Sequence, residues 1–281
     1  MNHMKKLPPY KYGKRKRVTL FKIFFIVFLP YFCYQEKVAK PTKQIELTAK
    51  AHYILDLQTH KVLFEKNANT QFSAASTIKL FTAFYSKELF QNKQWILIPK
   101  EATILHPLAS KAGLQKGEYY TYIDLFYAML IASANDASIA IAIFANGKES
   151  TFANSMTHWM HKKKFLNSRA FDSTGISPQT ITSASDLGQL LAEISKLSDF
   201  YETVFLANAT IVSQTGRQIY LTNRNKLATY KNFQIGGKTG NIKKAGQCFA
   251  GFIKNQNALY AVAILGSTSY VEDLKRLMDN L

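Results

Sequence analysis

The strand-forming stretches of this chain are confined to its two ends, and that separation limits the folds open to it. Ala51-His-Tyr-Ile-Leu-Asp-Leu57 and Lys61-Val-Leu-Phe-Glu-Lys66 are β-rich runs around the short interval Gln58-Thr-His60, a spacing that predicts a hairpin. Far downstream, residues 247–254 and 258–266 predict another hairpin across Asn255-Gln-Asn257. Phe233-Gln-Ile-Gly-Gly-Lys-Thr-Gly240 precedes it and a short helix from about Tyr270 follows. Between the ends, helical signals dominate. Thr121-x-x-Asp124 is a capping box before an apolar run over residues 125–131, and Ser183-x-x-Asp186 caps a helix with Leu187, Leu190, Leu191 and Ile194 on one face. Residues 210–214 and 217–221, with Gly216 at the turn, are the strand-like exception. The expected fold class is α/β of the α+β kind. It has an antiparallel sheet of about five strands built from both chain ends, flanked by helices, with a helical insertion.

Charge is distributed as unevenly as structure. Of the net +18, residues 1–50 contribute +10, from twelve Lys/Arg against Glu36 and Glu46; the remainder carries +8. No RNA-binding aromatic signature, zinc-finger spacing or helix-turn-helix signal accompanies that charge, so nucleic acid is not the expected partner. Residues 1–17 are basic and lack acids, and residues 18–34 are apolar apart from Lys22. A basic flank before an apolar run has the layout of an export signal or membrane anchor, with the basic end cytoplasmic. Small residues for cleavage are missing just after the run, which favours a retained anchor over a cleaved signal peptide. The expected organisation is a basic cytoplasmic segment (1–17), a signal or membrane anchor (18–35), a linker containing Lys-Pro-Thr-Lys (36–47) and one catalytic domain (48–281). Cys33 and Cys248 do not make a disulfide framework. His158 and His161 lack a third ligand, so no metal and no organic cofactor is expected.

The chemistry centres on Ser76-Thr-Ile-Lys79, ahead of the apolar residues Leu80, Phe81, Phe84, Tyr85 and Leu89. Positions three apart on a helix lie one above the other, which puts the amine of Lys79 beside the hydroxyl of Ser76. A serine hydroxyl needs a neighbouring base to act as a nucleophile, and a lysine walled off by apolar groups loses its preference for the charged form. Alone, the tetrad is common on solvated helices. Two downstream features raise its weight: Ser133-Ala-Asn135, a polar break between two buried runs, and Lys238-Thr239-Gly240 on a glycine-rich strand.

Taken together, Ser76-x-x-Lys79, Ser133-x-Asn135 and Lys238-Thr239-Gly240 resemble the motifs of the low-molecular-mass penicillin-binding proteins, the serine D-Ala-D-Ala carboxypeptidases with a β-lactamase/transpeptidase-like fold. Leu130-Ile-Ala-Ser-Ala-Asn-Asp136, Asp172-Ser-Thr-Gly-Ile176, Thr222-Asn-Arg-Asn-Lys-Leu227 and Ala245-Gly-Gln-Cys248 also resemble that family's intervening blocks, over residues 48–270. The resemblance implies that Ser76 attacks the carbonyl between the terminal D-alanines of a peptidoglycan stem peptide while Lys79 takes its proton, helped by the second cation Lys238. Ser133 would relay a proton to the leaving amine. Asn135 would hold Lys79 and the substrate amide, Lys238 and Thr239 beside Gly240 would bind the terminal carboxylate, and the backbone N–H groups of Ser76 and Asn241 would form the oxyanion hole. β-Lactams would be covalent inhibitors, and the site would face outward from the inner membrane, in the periplasm. The chain stops just after the catalytic region, as the family's DD-endopeptidases do. Cleavage of D-Ala cross-links is therefore the nearest alternative, and a catalytically silent wall-binding protein is the alternative from another class. A class A β-lactamase is disfavoured because no Glu-x-x-Leu-Asn follows Ser133.

Overall fold

The computed structural model describes residues 45–281 apart from Leu108; the basic segment, the apolar segment and most of the linker lie outside the described residues. Leu47 and Ala49 are already buried in the core, so packing starts inside the stretch read as linker.

The sheet expected from both chain ends is present. Its strands are β1 (Ala51–Asp56), β2 (Val62–Lys66), β3 (Thr229–Tyr230), β4 (Phe233–Ile242), β5 (Gly246–Lys254) and β6 (Leu259–Ser267), in the antiparallel order β2-β1-β6-β5-β4-β3. The two ends meet where β1 pairs with β6, Ala51 opposite Leu265 and Ile54 opposite Val262. β6 is apolar almost throughout because both of its faces are covered. Ala261, Ala263 and Leu265 belong to the larger core, whereas Val262 and Ile264 pack with Leu274 and Leu277 of the C-terminal helix. That division follows from the two-residue alternation of strand side chains.

The insertion consists mainly of α1 (Lys79–Leu89), α2 (Tyr122–Ile131), α3 (Asn135–Asn146), α4 (Glu149–Lys162), α5 (Ala184–Ile194) and α6 (Ser198–Thr203); α7 (Tyr270–Met278) follows the sheet. α2 opens on the expected capping box, in which the Thr121 hydroxyl accepts from the Asp124 N–H and the Asp124 carboxylate accepts in return. A separate two-stranded ribbon pairs Asn208–Val212 with Gln218–Thr222 around Gly216. α1 is buried on its inner face by Leu80, Phe81 and Ala83. The tight turn that leads into it, Ala75–Ile78, lies against β4, so the sheet edge and the helical insertion meet at Ser76.

Candidate active site

The chain enters α1 through a tight turn. Ala74 donates its N–H to Thr180 O (2.9 Å), Thr77 Oγ1 closes back onto Ala74 O (2.6 Å), and Ala75 holds φ 45°. A left-handed alanine is uncommon; here it starts a single 3₁₀ turn, Ala75–Ile78, rather than the α-helix expected at Ser76. With three residues per turn, side chains three apart eclipse. Lys79 Nζ accordingly reaches Ser76 Oγ at 3.1 Å and donates to Thr174 O at 2.7 Å. Ser76 is half-buried and Lys79 is fully buried. Burial lowers the Lys79 pKa to about 7, against the opposing pull of Asp172, Glu149 and Asp136. Lys238 is buried as well: burial first, then Lys79 and Arg224, push its pKa well below the lysine range.

Between α2 and α3, Ser133 adopts φ 59° and is buried beside the cleft. The turn is fixed by Ala134 N–H to Ala128 O (3.0 Å) and Asn135 N–H to Ser110 O (2.9 Å). Asp136 secures the facing loop. Its buried carboxylate accepts from the N–H groups of Ala112, Gly113 and Leu114 at 2.8–3.1 Å. Asn135 does not hold Lys79, whose bonds go to Ser76 and Thr174. The Asn135 Oδ1 atom is buried and accepts no hydrogen bond among the described residues.

On β4, Lys238 is buried and donates to Thr239 O at 2.8 Å. Gly240 permits a close approach of the strand to the nucleophile turn. A Cβ there would lie 2.9 Å from both Ser76 N and Ala75 Cβ, well inside van der Waals contact. Ser76, Ser133, Arg224, Thr239, Gly240 and Asn241 share the lining of a cleft of about 410 Å³. Of the residues singled out in the sequence, Lys79, Asn135 and Lys238 sit behind this lining as buried polar groups.

Two contributors went unassigned in the sequence. The block 172–176, read only as a family resemblance, supplies the carbonyl that Lys79 binds. Thr82 and Ser138 hydroxyls donate to Ser173 O (2.8 and 2.7 Å), Glu149 accepts from the Ser173 N–H and hydroxyl, and Asp172 accepts from the N–H groups of Thr174, Gly175 and Ser177. Gly175 takes φ 79° directly against Ala75 O, locking the loop to the nucleophile turn. Arg224 is the other. Its backbone N–H bonds Ile131 O and its Nε bonds Ala132 O, which presents the guanidinium at the cleft beside Lys238.

Residues 36–269 match the family model described as D-alanyl-D-alanine carboxypeptidase. The D-alanyl-D-alanine carboxypeptidase DacF of Bacillus subtilis is 25% identical over 254 residues, covering 89% of this chain and 65% of the relative. A D-alanyl-D-alanine endopeptidase of Haemophilus influenzae is 28% identical over 225 residues, covering 79% of this chain and 76% of its own. The chain thus spans about two thirds of the length of the first of these relatives. Among solved structures, a D-alanyl-D-alanine carboxypeptidase from Mycobacterium tuberculosis superposes with TM-score 0.77 at 21% identity, over 86% of this chain and 93% of that one. Penicillin-binding protein 6B from Escherichia coli gives 0.76 at 22% identity, over 86% and 79%.

Proposed function

Because this chain belongs to the D-alanyl-D-alanine carboxypeptidase family, we propose that it is a penicillin-sensitive serine peptidase of the bacterial cell wall, removing the terminal D-alanine from stem peptides that end in D-Ala-D-Ala. The observation that carries this reading is the contact between a buried Lys79 amine and the Ser76 hydroxyl, 3.1 Å apart at the head of the cleft.

Deprotonating a free lysine at pH 7 costs about 5 kcal/mol, at roughly 1.36 kcal/mol per pKa unit; with a pKa of about 7 the cost nearly vanishes. Neutral Lys79 takes the Ser76 proton as the oxygen attacks the carbonyl between the two D-alanines. The backbone N–H groups of Ser76 and Asn241 hold the oxyanion. The bond to the terminal residue then breaks, Ser133 gives its proton to the departing amine and takes the one held by Lys79, and D-alanine leaves. Asn135 Oδ1, an acceptor with no partner among the described residues, takes an N–H of the substrate peptide, which removes the penalty of leaving it unpaired. The terminal carboxylate binds at Thr239 and Lys238 beside Gly240, with Arg224 adjacent. A carboxylate raises the Lys238 pKa again, so the lysine bonds it as a cation. Water, with Lys79 as its base, completes hydrolysis. No metal and no organic cofactor takes part.

β-Lactams acylate Ser76 in the same way and remain because their leaving portion stays tethered. The domain works at the extracytoplasmic face of the inner membrane, residues 18–35 serving as its anchor after the basic segment 1–17, with residues 36–47 linking to the domain. An endopeptidase acting on cross-links would use the same groups and differ only in its leaving group. The test is exposure of the membrane-bound protein to a fluorescent penicillin with peptide mapping, beside D-alanine release from a pentapeptide. Label on Ser76 that vanishes in Ser76→Ala, with D-alanine release, is the expected result. Label elsewhere, or rapid penicillin turnover without D-alanine release, overturns the reading.

A further inference from the structure

A second depression, of about 380 Å³, adjoins the catalytic cleft, and the two share Arg224 and Lys226 in their walls. Its rim carries three exposed cations, Lys111, Arg224 and Lys226, and its lining contains no aspartate or glutamate. Among the described residues, none of these cations forms an ion pair, and the Arg224 Nη groups hold no protein acceptor. Asp136, whose carboxylate binds the Ala112 N–H in the wall, is buried and committed to backbone N–H groups, so it does not neutralise the rim. The floor is apolar, from Ala132 and Leu221, and the ring of Tyr220, 66% exposed, stands beside it. Like charges gathered without counter-ions repel one another, and an anion placed among them relieves that repulsion.

We propose that this annex is a second carboxylate subsite, which takes an acidic group carried on a short aliphatic arm of the leaving residue. The assignment rests on the function proposed above, which puts the leaving residue's α-carboxylate at Thr239 and Lys238. Arg224 stands beside Lys238 and continues into the annex, so an arm extending past the α-carboxylate meets Lys111 and Lys226 next. The apolar floor suits methylene groups and the rim suits the charge at their end. D-Alanine is too short to reach it. The annex therefore discriminates among leaving groups: it favours a leaving amino acid that is a diacid over one whose second carboxylate is amidated.

The test uses the full-length protein and two peptides, identical except that the terminal D-2-aminoadipate has a free or an amidated side-chain carboxylate. A D-Ala-D-Ala peptide is run alongside. The free acid is expected to be cleaved with about tenfold higher kcat/KM, carried in KM, and the preference is expected to fall to about twofold in Lys111→Gln/Lys226→Gln, a loss that added salt also produces in the wild type. Because the readout is a ratio within each protein, overall losses of activity in the variant cancel. Equal cleavage of the two peptides by the wild type, cleavage of neither while D-alanine is released normally, or a preference unchanged in the variant overturns the annex and leaves the peptidase standing. Failure to release D-alanine from D-Ala-D-Ala, with no label on Ser76, overturns both.

Discussion

Replacing Lys79 with methionine is expected to abolish acylation and, near neutral pH, to make the protein more stable. Lys79 is fully buried, and burial lowers its pKa from 10.5 to about 7. That displacement of roughly 3.5 units, at about 1.36 kcal/mol each, amounts to about 5 kcal/mol withheld from folding wherever both states carry the proton, which is below about pH 7. Between about pH 7 and 10.5 the unfolded chain binds a proton that the folded chain has lost. Wild-type stability therefore climbs with pH through that window, and the deficit disappears only above it. Methionine fills a similar volume with no charge. Its cost is the Thr174 carbonyl, which loses the Lys79 donor; an orphaned buried acceptor costs about 1–3 kcal/mol. The expected balance is a gain of about 2–4 kcal/mol near pH 6, turning into a small loss near pH 10 as the wild type recovers its deficit. Urea denaturation of wild type and variant at both pH values measures the difference, and fluorescent penicillin measures acylation, expected to fall by at least about a hundredfold. A variant less stable at pH 6, or a difference that ignores pH, would refute the claim that Lys79 is held neutral against its solvation.

The same titration sets the rate. Acylation of Ser76 needs the neutral amine, so labelling should reach half its maximum near pH 7 and fall about fivefold from there to about pH 6; a flat profile from acid to neutral pH contradicts the assignment of Lys79 as base. Gly240→Ala introduces a Cβ at 2.9 Å from Ser76 N and Ala75 Cβ. It should displace the nucleophile turn and slow labelling by at least about tenfold while circular dichroism stays unchanged. Labelling at the wild-type rate would show that the strand does not need this approach.

What the sequence made legible is what side-chain periodicity and spacing encode. β6 announces itself by an apolar run, α2 and α5 by their caps, and the pairing of Ser76 with Lys79 by an interval of three. β3 is only two residues long and carries no period. The 3₁₀ geometry at Ser76 depends on φ 45° at Ala75, a residue with no special preference for it, imposed by contact with Gly175 and Gly240. The partner of Lys79 is a backbone carbonyl 95 residues away, and a carbonyl has no signature in an amino-acid string. The family resemblance assigns to Asn135 a contact that Thr174 makes. Arg224 lies within the block 222–227, but its charge acquires a role only through the turn of the chain that sets it beside Lys238.

The direction of the coupling between the two lysines was equally illegible, and it bears on how the proposed reaction starts. The family resemblance implies that two cations converge; it does not say which one gives up its proton. Both amines are buried, but only Lys79 has carboxylates, Asp172, Glu149 and Asp136, acting to keep its charge, whereas Lys238 feels Lys79 and Arg224. Burial and the neighbouring cations therefore favour the neutral form of Lys238. A substrate carboxylate at Thr239 opposes that, because it favours the charged form of Lys238. Once Lys238 is charged, its repulsion acts on Lys79 in turn and disfavours the proton there. On the proposed reading, the group that marks a correct substrate, its terminal carboxylate, also helps to free the base, so productive binding and activation of Ser76 arrive together.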